Sequence, residues 1–256
     1  MTISIPPVSK SDATPVGGLS RRGVLAGLAA VAAGGAATSR VRAAEAGAPK
    51  ETGLSTEGLL AGRAGFQQRT VMPLPYQELP GFLSRAQLDG HHTEYVREVE
   101  RLKEVEKEMK DPSLDASRYG ELRRAQVVGA NGVLLHEFYF GNLAPARVDV
   151  PRYIAGHMNE HMGSMDTWAA DFTRCALGAK AWAVLQYDPY DDRWHNVMMD
   201  GNDAGTWIGA NPLVVCDVSD HAFGTDYGGR EQYVAQFIDH VDWNEVARRY
   251  KAVDRM

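Results

Sequence analysis

Asp217 and His221 stand four residues apart in the run Val215-Cys216-Asp217-Val218-Ser219-Asp220-His221-Ala222-Phe223. A carboxylate and an imidazole at fixed spacing beside a buried strand can bind a transition ion through one oxygen and one nitrogen. The spacing alone is weak, because such pairs also arise on solvated helix faces. Context sharpens it: the apolar run Asn211–Cys216 precedes the pair, and Gly224-Thr225-Asp226-Tyr227-Gly228 follows it. A second histidine pair, His157 and His161, also has a four-residue spacing and could hold a surface ion. An ordinary exposed helix face is the favoured reading there, because Glu160 is the only further donor in view.

The block around Asp217 resembles the C-terminal metal signature of the iron/manganese superoxide dismutase family, roughly Asp-Val-Trp/Tyr-Glu-His-Ala-Tyr. Two upstream segments extend the resemblance. Residues Asn131-Gly132-Val133-Leu134-Leu135-His136-Glu137-Phe138-Tyr139-Phe140-Gly141-Asn142-Leu143 look like the family's second ligand helix. Residues Leu83-Ser84 through His91-His92-Thr93-Glu94-Tyr95-Val96 resemble the first. One register puts His91 on the ligand position with Tyr95 a turn later; a slide of four residues would leave Gln87 there instead. The first register is preferred because it needs the shorter deletion and supplies a fourth protein ligand. Further matches are Trp182-Ala183-Val184-Leu185, His195-Asn196, Trp207-Ile208-Gly209-Ala210 and Val241-Asp242-Trp243, so the resemblance runs over about residues 74–250.

The resemblance implies a superoxide dismutase with one iron or manganese ion per subunit, held by His91, His136, Asp217 and His221. Three imidazoles and one carboxylate suit a first-row transition ion and leave room for solvent or substrate. It also implies catalytic roles for Tyr95, Asn202 and Asp220. Asn202 lies in the loop that carries the family's solvent-tuning Gln or His, and its amide is shorter than Gln. Gly132 stands where some iron enzymes carry a Gln. Val99 falls at the gateway tyrosine, so Tyr95 is the nearest substitute. Ser219 and Gly224 replace aromatics. Asp220 replaces the Glu that crosses a dimer interface, which implies a homodimer formed near the site. These departures keep open an alternative: a metal-binding protein or metal-dependent oxidase on the same fold with a drifted site. Phe138, Tyr139 and Phe140 read as core packing that keeps the site dry.

The chain has 256 residues, 44% of them hydrophobic, enough for a sizeable core, and a net charge of −6. That balance offers no basic footprint for nucleic acid. Near the N-terminus, Ser20-Arg21-Arg22-Gly23-Val24-Leu25 leads into the small, apolar stretch Ala26–Ala37, followed by small residues near Ala43–Ala46. A paired-arginine segment, a weak apolar run and a small-residue cleavage region look like a signal for the twin-arginine export machinery. The run falls short of the roughly 20 apolar residues that a span requires, so no stable membrane insertion is expected. The expected location is periplasmic. Cys175 and Cys216 sit among apolar neighbours and read as two buried thiols.

Residues 1–46 are thus expected to be signal and cleavage region, and residues 47–73, rich in Gly, Ala, Thr and Glu, a lead-in. Apolar residues at three- and four-residue spacing predict one long helix from Ser84 to about Met109 and a second from about Tyr119 to Phe140. Together they form a helical hairpin, residues 74–147, able to bring His91 and His136 together. A C-terminal α+β domain, residues 148–256, is expected to open with a helix over about Tyr153–Ala176. Strands follow at Ala181–Tyr187, Trp194–Met199 and Leu213–Val218, with a turn at Asp188–Asp192 and a return to helix over 229–250. The fold class is α+β: a long N-terminal helical hairpin, then a small three-stranded antiparallel sheet flanked by helices.

Overall fold

The computed structural model describes residues 70–254. The expected export signal, and residues 47–69 of the lead-in, lie outside the described residues. No described helix is long and apolar enough to cross a membrane.

Helix α1 spans Arg85–Glu108 and begins where the Ser84 side chain accepts a hydrogen bond from the Gln87 amide. Its buried positions, Leu88, His91, Tyr95, Val99 and Leu102, recur every three or four residues and make one continuous stripe. Helix α2, Ala116–Gly141, starts three residues earlier than the apolar pattern suggests, because Asp115 caps the Arg118 amide. The two helices pack together. Gly129 faces Leu102 across this contact, where a Cβ would lie 3.4 Å from Leu102 Cβ. At the far end, Arg118 forms a two-pronged pair with Glu108, at 2.8 and 3.0 Å.

The single helix expected over 153–176 is two helices: α3 (Arg152–Met162) and α4 (Met165–Gly178). Gly163, with φ of 84°, turns the chain out of α3, and the Ser164 hydroxyl accepts from the Thr167 amide to open α4. The C-terminal helix is likewise divided, into α6 (Arg230–Asp239) and α7 (Trp243–Val253). Here Asp242 accepts from the amides of Asn244 and Glu245 and so begins a new helix. Apolar periodicity carries through both breaks; local capping decides them.

Strands β1 (Trp182–Asp188), β2 (Arg193–Met199) and β3 (Asn211–Asp217) form an antiparallel sheet in the order β2-β1-β3. Central β1 is buried along six of its seven residues, whereas β2 alternates. Helix α4 packs against β1 and β2, α3 against β2, and α2 and α7 against β3. The one-turn helix α5 (Asp220–Phe223) packs against α1. Cys216 is buried and Cys175 half-buried, both as free thiols.

Asn142, just beyond α2, ties the helix that bears His136 to the strand that bears Asp217. Its Oδ1 accepts from the Val215 amide of β3 at 2.7 Å and from Arg249 at 3.3 Å. Arg249 is buried in α7 and also donates to the carbonyls of Leu213 and Phe138 and to Glu245. Three elements therefore meet on one guanidinium. Replacing Arg249 with Met removes the donor from the buried Leu213 and Phe138 carbonyls and one of the two arginines that face Glu245, the other being Arg248. The expected loss of unfolding free energy is about 2–3 kcal/mol, measured by urea denaturation.

Candidate metal centre

Asp217 ends β3 with its carboxylate completely shielded from solvent. Its Oδ1 accepts from the Ser219 amide at 2.8 Å, which aims Oδ2 away from the following turn. Three imidazole Nε2 atoms surround that Oδ2: His91 at 3.0 Å, His221 at 3.1 Å and His136 at 3.9 Å. One ligand atom from each of the four residues lies within 4.8 Å of every other. Ions bound at 2.0–2.2 Å hold neighbouring ligand atoms roughly 3.0–3.7 Å apart, so this set has the dimensions of a coordination shell.

Each ring is aimed by its element. His91 projects from the buried stripe of α1, and His221 from α5 immediately after the strand. His136 Nδ1 lies 2.7 Å from the Gly132 carbonyl one turn earlier in α2. That contact places the proton on Nδ1 and leaves a lone pair on Nε2. The same Nε2 is buried without a hydrogen-bond partner. A buried acceptor with no donor is what a bound cation would satisfy. Iron or manganese fits this donor set.

The charges are arranged accordingly. Burial opposes ionisation of Asp217, but hydrogen bonds and charge from His221 and His91 outweigh it and hold the carboxyl far below the usual range. Burial lowers His91 despite its Asp217 partner. Burial, aided by the nearby His91, pushes His136 down to about 4. His221 moves the other way. Burial again pulls it down, but the hydrogen bond and charge of Asp217 prevail and raise it.

Gln87, the residue that the alternative register would put in the site, is not part of this cluster. It is buried and spans to the C-terminal half, donating to the His221 carbonyl at 2.7 Å and accepting from the Thr225 amide at 2.8 Å. It therefore fixes the backbone that carries His221. Tyr95 is buried one turn from His91; its hydroxyl donates to Glu137 at 3.0 Å and accepts from the Met72 amide at 3.1 Å. Its ring centroid is 6.1 Å from that of His136. Asn202 Oδ1 accepts from Trp182 Nε1 at 2.9 Å, and Trp182 meets the His136 ring edge-on at 5.0 Å. The Asn202 amide nitrogen occupies the space beside Gly132, only 2.5 Å from where a Cβ would stand. Asp220 is exposed on α5 beside His221, outside the four-residue cluster. Val99, at the gateway position, is buried core.

Trp182, Glu137 and the fitting of Asn202 against Gly132 were not legible as site features. The only signal was the proximity of Glu137 to His136 in sequence. Across the described residues two other clusters bring three possible ligands together, His157/Glu160/His161 and Asp188/Asp191/His195, but neither combines buried histidines with a buried carboxylate.

Residues 151–249 match the family model described as iron/manganese superoxide dismutases, C-terminal domain. The chain is 33% identical over 187 residues to superoxide dismutase [Mn] 2 of Haloferax volcanii, spanning 70% of this chain and 94% of that protein. The chain belongs to the iron/manganese superoxide dismutase family. It is also 31% identical to superoxide dismutase [Mn] 1 of Halobacterium salinarum, over 70% of this chain and 92% of that protein. Superoxide dismutase [Fe] of Aquifex aeolicus is 27% identical, over 68% and 87% respectively. Relatives named for each metal thus flank the chain, and the family uses iron or manganese.

Metal binding requires an ionised carboxylate and neutral imidazoles. The lowered His91 and His136 are already neutral at pH 7, and Asp217 is already ionised. His221 alone carries a raised affinity for a proton. Uptake of manganese by metal-free protein is therefore expected to release at most about one proton per ion at pH 7. Release grows as the pH falls toward 6, where His221 is more fully protonated, and vanishes at alkaline pH. Calorimetry in buffers of different ionisation enthalpy measures this; release of two protons at pH 7 would show that His91 or His136 is charged in the metal-free site.

Proposed function

We propose that this protein is a superoxide dismutase that uses one iron or manganese ion, held by His91, His136, Asp217 and His221. The observation that carries this reading is the convergence of three Nε2 atoms on one buried Asp217 oxygen, in a chain of this family. One superoxide loses an electron to become oxygen; a second gains one, takes two protons and becomes hydrogen peroxide. Iron or manganese supplies the alternation between two oxidation states that this exchange requires.

The chain supplies position, charge and dryness. Asp217 contributes one negative charge that three neutral rings do not cancel, which lowers the net charge of the centre. Tyr139, Phe140 and Trp182 are buried around the rings and exclude bulk water. His221, with 38% of its side chain exposed, marks the side from which a small anion and protons reach the centre. Trp182 holds the oxygen end of Asn202, so the amide nitrogen is the end available to donate to a water in the site. Tyr95, held between Glu137 and the Met72 amide, is a second fixed hydroxyl beside His136. In this reading the helical hairpin of residues 74–147 delivers two ligands and the α+β part, residues 148–256, delivers the other two.

This reading includes a homodimer formed near the same site. Asp220 is exposed beside His221, where an acidic side chain can reach a partner subunit. Arg21-Arg22 and the apolar run behind them support export by the twin-arginine route. A folded cargo suits a metalloprotein, because the ion can be loaded before transport, and the destination is periplasmic.

Purified protein loaded with iron or manganese is expected to remove superoxide in a stopped-flow assay. His136→Gln should lose both metal and activity. Asn202→Ala should keep the metal and slow the reaction by about tenfold or more. Full metal occupancy with no superoxide removal would favour a metal-binding or oxidase role instead. Sedimentation at micromolar concentration should give twice the mass of one chain; a monomer would remove Asp220 from the interface. Changing Arg21 and Arg22 together to Lys should hold the protein in the cytoplasm, and undiminished export would exclude the twin-arginine route.

A further inference from the structure

Helix α3 carries a cluster that the central site does not use. His157 Nδ1 and His161 Nε2 face each other at 3.4 Å, and the two rings are parallel to within 4°. Glu160, between them in sequence and exposed, brings a carboxylate oxygen within 4.8 Å of one ring nitrogen of each. Against the reading of a simple solvated face, both histidines are half-buried. Trp194 of β2 stacks under the pair, with centroids 5.9 Å from His157 and 5.5 Å from His161. Tyr250 of α7 closes the other side, its hydroxyl 3.4 Å from His157 Nδ1.

Packing accounts for the stacked rings but not for the facing nitrogens. His157 Nδ1 has two polar neighbours, and both stand at the outer limit of a hydrogen bond. Two ligand nitrogens bound at about 2.1 Å around a tetrahedral ion are roughly 3.4 Å apart, so the spacing matches a chelate better than a proton bridge. Two imidazoles and one carboxylate are also a zinc ligand set that leaves a fourth position for water.

We propose that His157, Glu160 and His161 form a second site for a divalent ion of the zinc class, separate from the four-residue centre. All three ligands come from one eleven-residue helix, at relative positions i, i+3 and i+4, so an ion there clamps α3 in its helical form. Trp194 and Tyr250 hold the rings in place for it. The site serves stability and metal capture; it supplies no group to the central reaction.

The test uses the protein with its central ion in place and zinc chloride as the probe. Calorimetric titration should show one additional zinc per chain, and zinc should protect the α3 amides from hydrogen exchange. His161→Gln, a variant that keeps the volume and polarity of the ring site, should weaken this binding by about tenfold or more, with the central metal content unchanged. Copper(II) should quench tryptophan fluorescence in the wild type, and Trp194→Phe should abolish that component while zinc still binds. Equal zinc stoichiometry and affinity in the wild type and in the His157→Gln/His161→Gln double variant would overturn the proposal. So would loss of the extra ion in His195→Ala alone, which would assign it to the Asp188/Asp191 hairpin.

Discussion

A carboxylate with no exposure to solvent cannot stay ionised unless its surroundings replace the water it has lost. Asp217 is such a group, and much of the fold answers that requirement. An isolated buried charge is strongly disfavoured, and several kcal/mol of desolvation must be offset by direct partners. The Ser219 amide takes one oxygen; three imidazoles from three separate helices surround the other. The arrangement is stable as a group and unstable in parts. Each histidine is neutral or charged according to its own burial and its own distance from one oxygen, which is why the rings shift in opposite directions.

That geometry is useful only if helix α2 and strand β3 keep their relative position. Asn142 and Arg249 provide this by hydrogen-bonding to the end of the helix, to the strand and to α7 at once. Gln87 does the corresponding work for α1 and the segment carrying His221. These polar residues are buried, and each makes at least one bond to an element distant in sequence. They act as positioning groups. The metal centre inherits its dimensions from them.

Around the ligands, a missing side chain matters as much as those present. Gly132 contributes its carbonyl to His136 and its empty Cβ position to Asn202. A larger residue there could not coexist with the amide in its present place. The short Asn202 side chain reaches its place because Trp182 holds one end and Gly132 leaves room for the other. The residue at 132 therefore constrains the residue at 202.

The sequence by itself determined what depends on neighbours along the chain. The stripe of apolar residues in α1 and α2, the β-rich segments that become the strands, and the four-residue spacing of Asp217 and His221 are local patterns with local causes. The resemblance to a known family added His91 and His136 as their partners. Local rules were also where the reading ran past the truth: periodicity suggested unbroken helices over 153–176 and 229–250, and the caps at Ser164 and Asp242 divide both. Only the tertiary structure put His91 rather than Gln87 beside Asp217, because both lie on the buried stripe of α1 and differ by a single turn. It alone showed Trp182 against His136, Asn202 in the space left by Gly132, and the histidines of α3 pressed onto Trp194. These contacts join residues tens of positions apart, and spacing along a chain carries no information about which distant surfaces will meet at van der Waals distance.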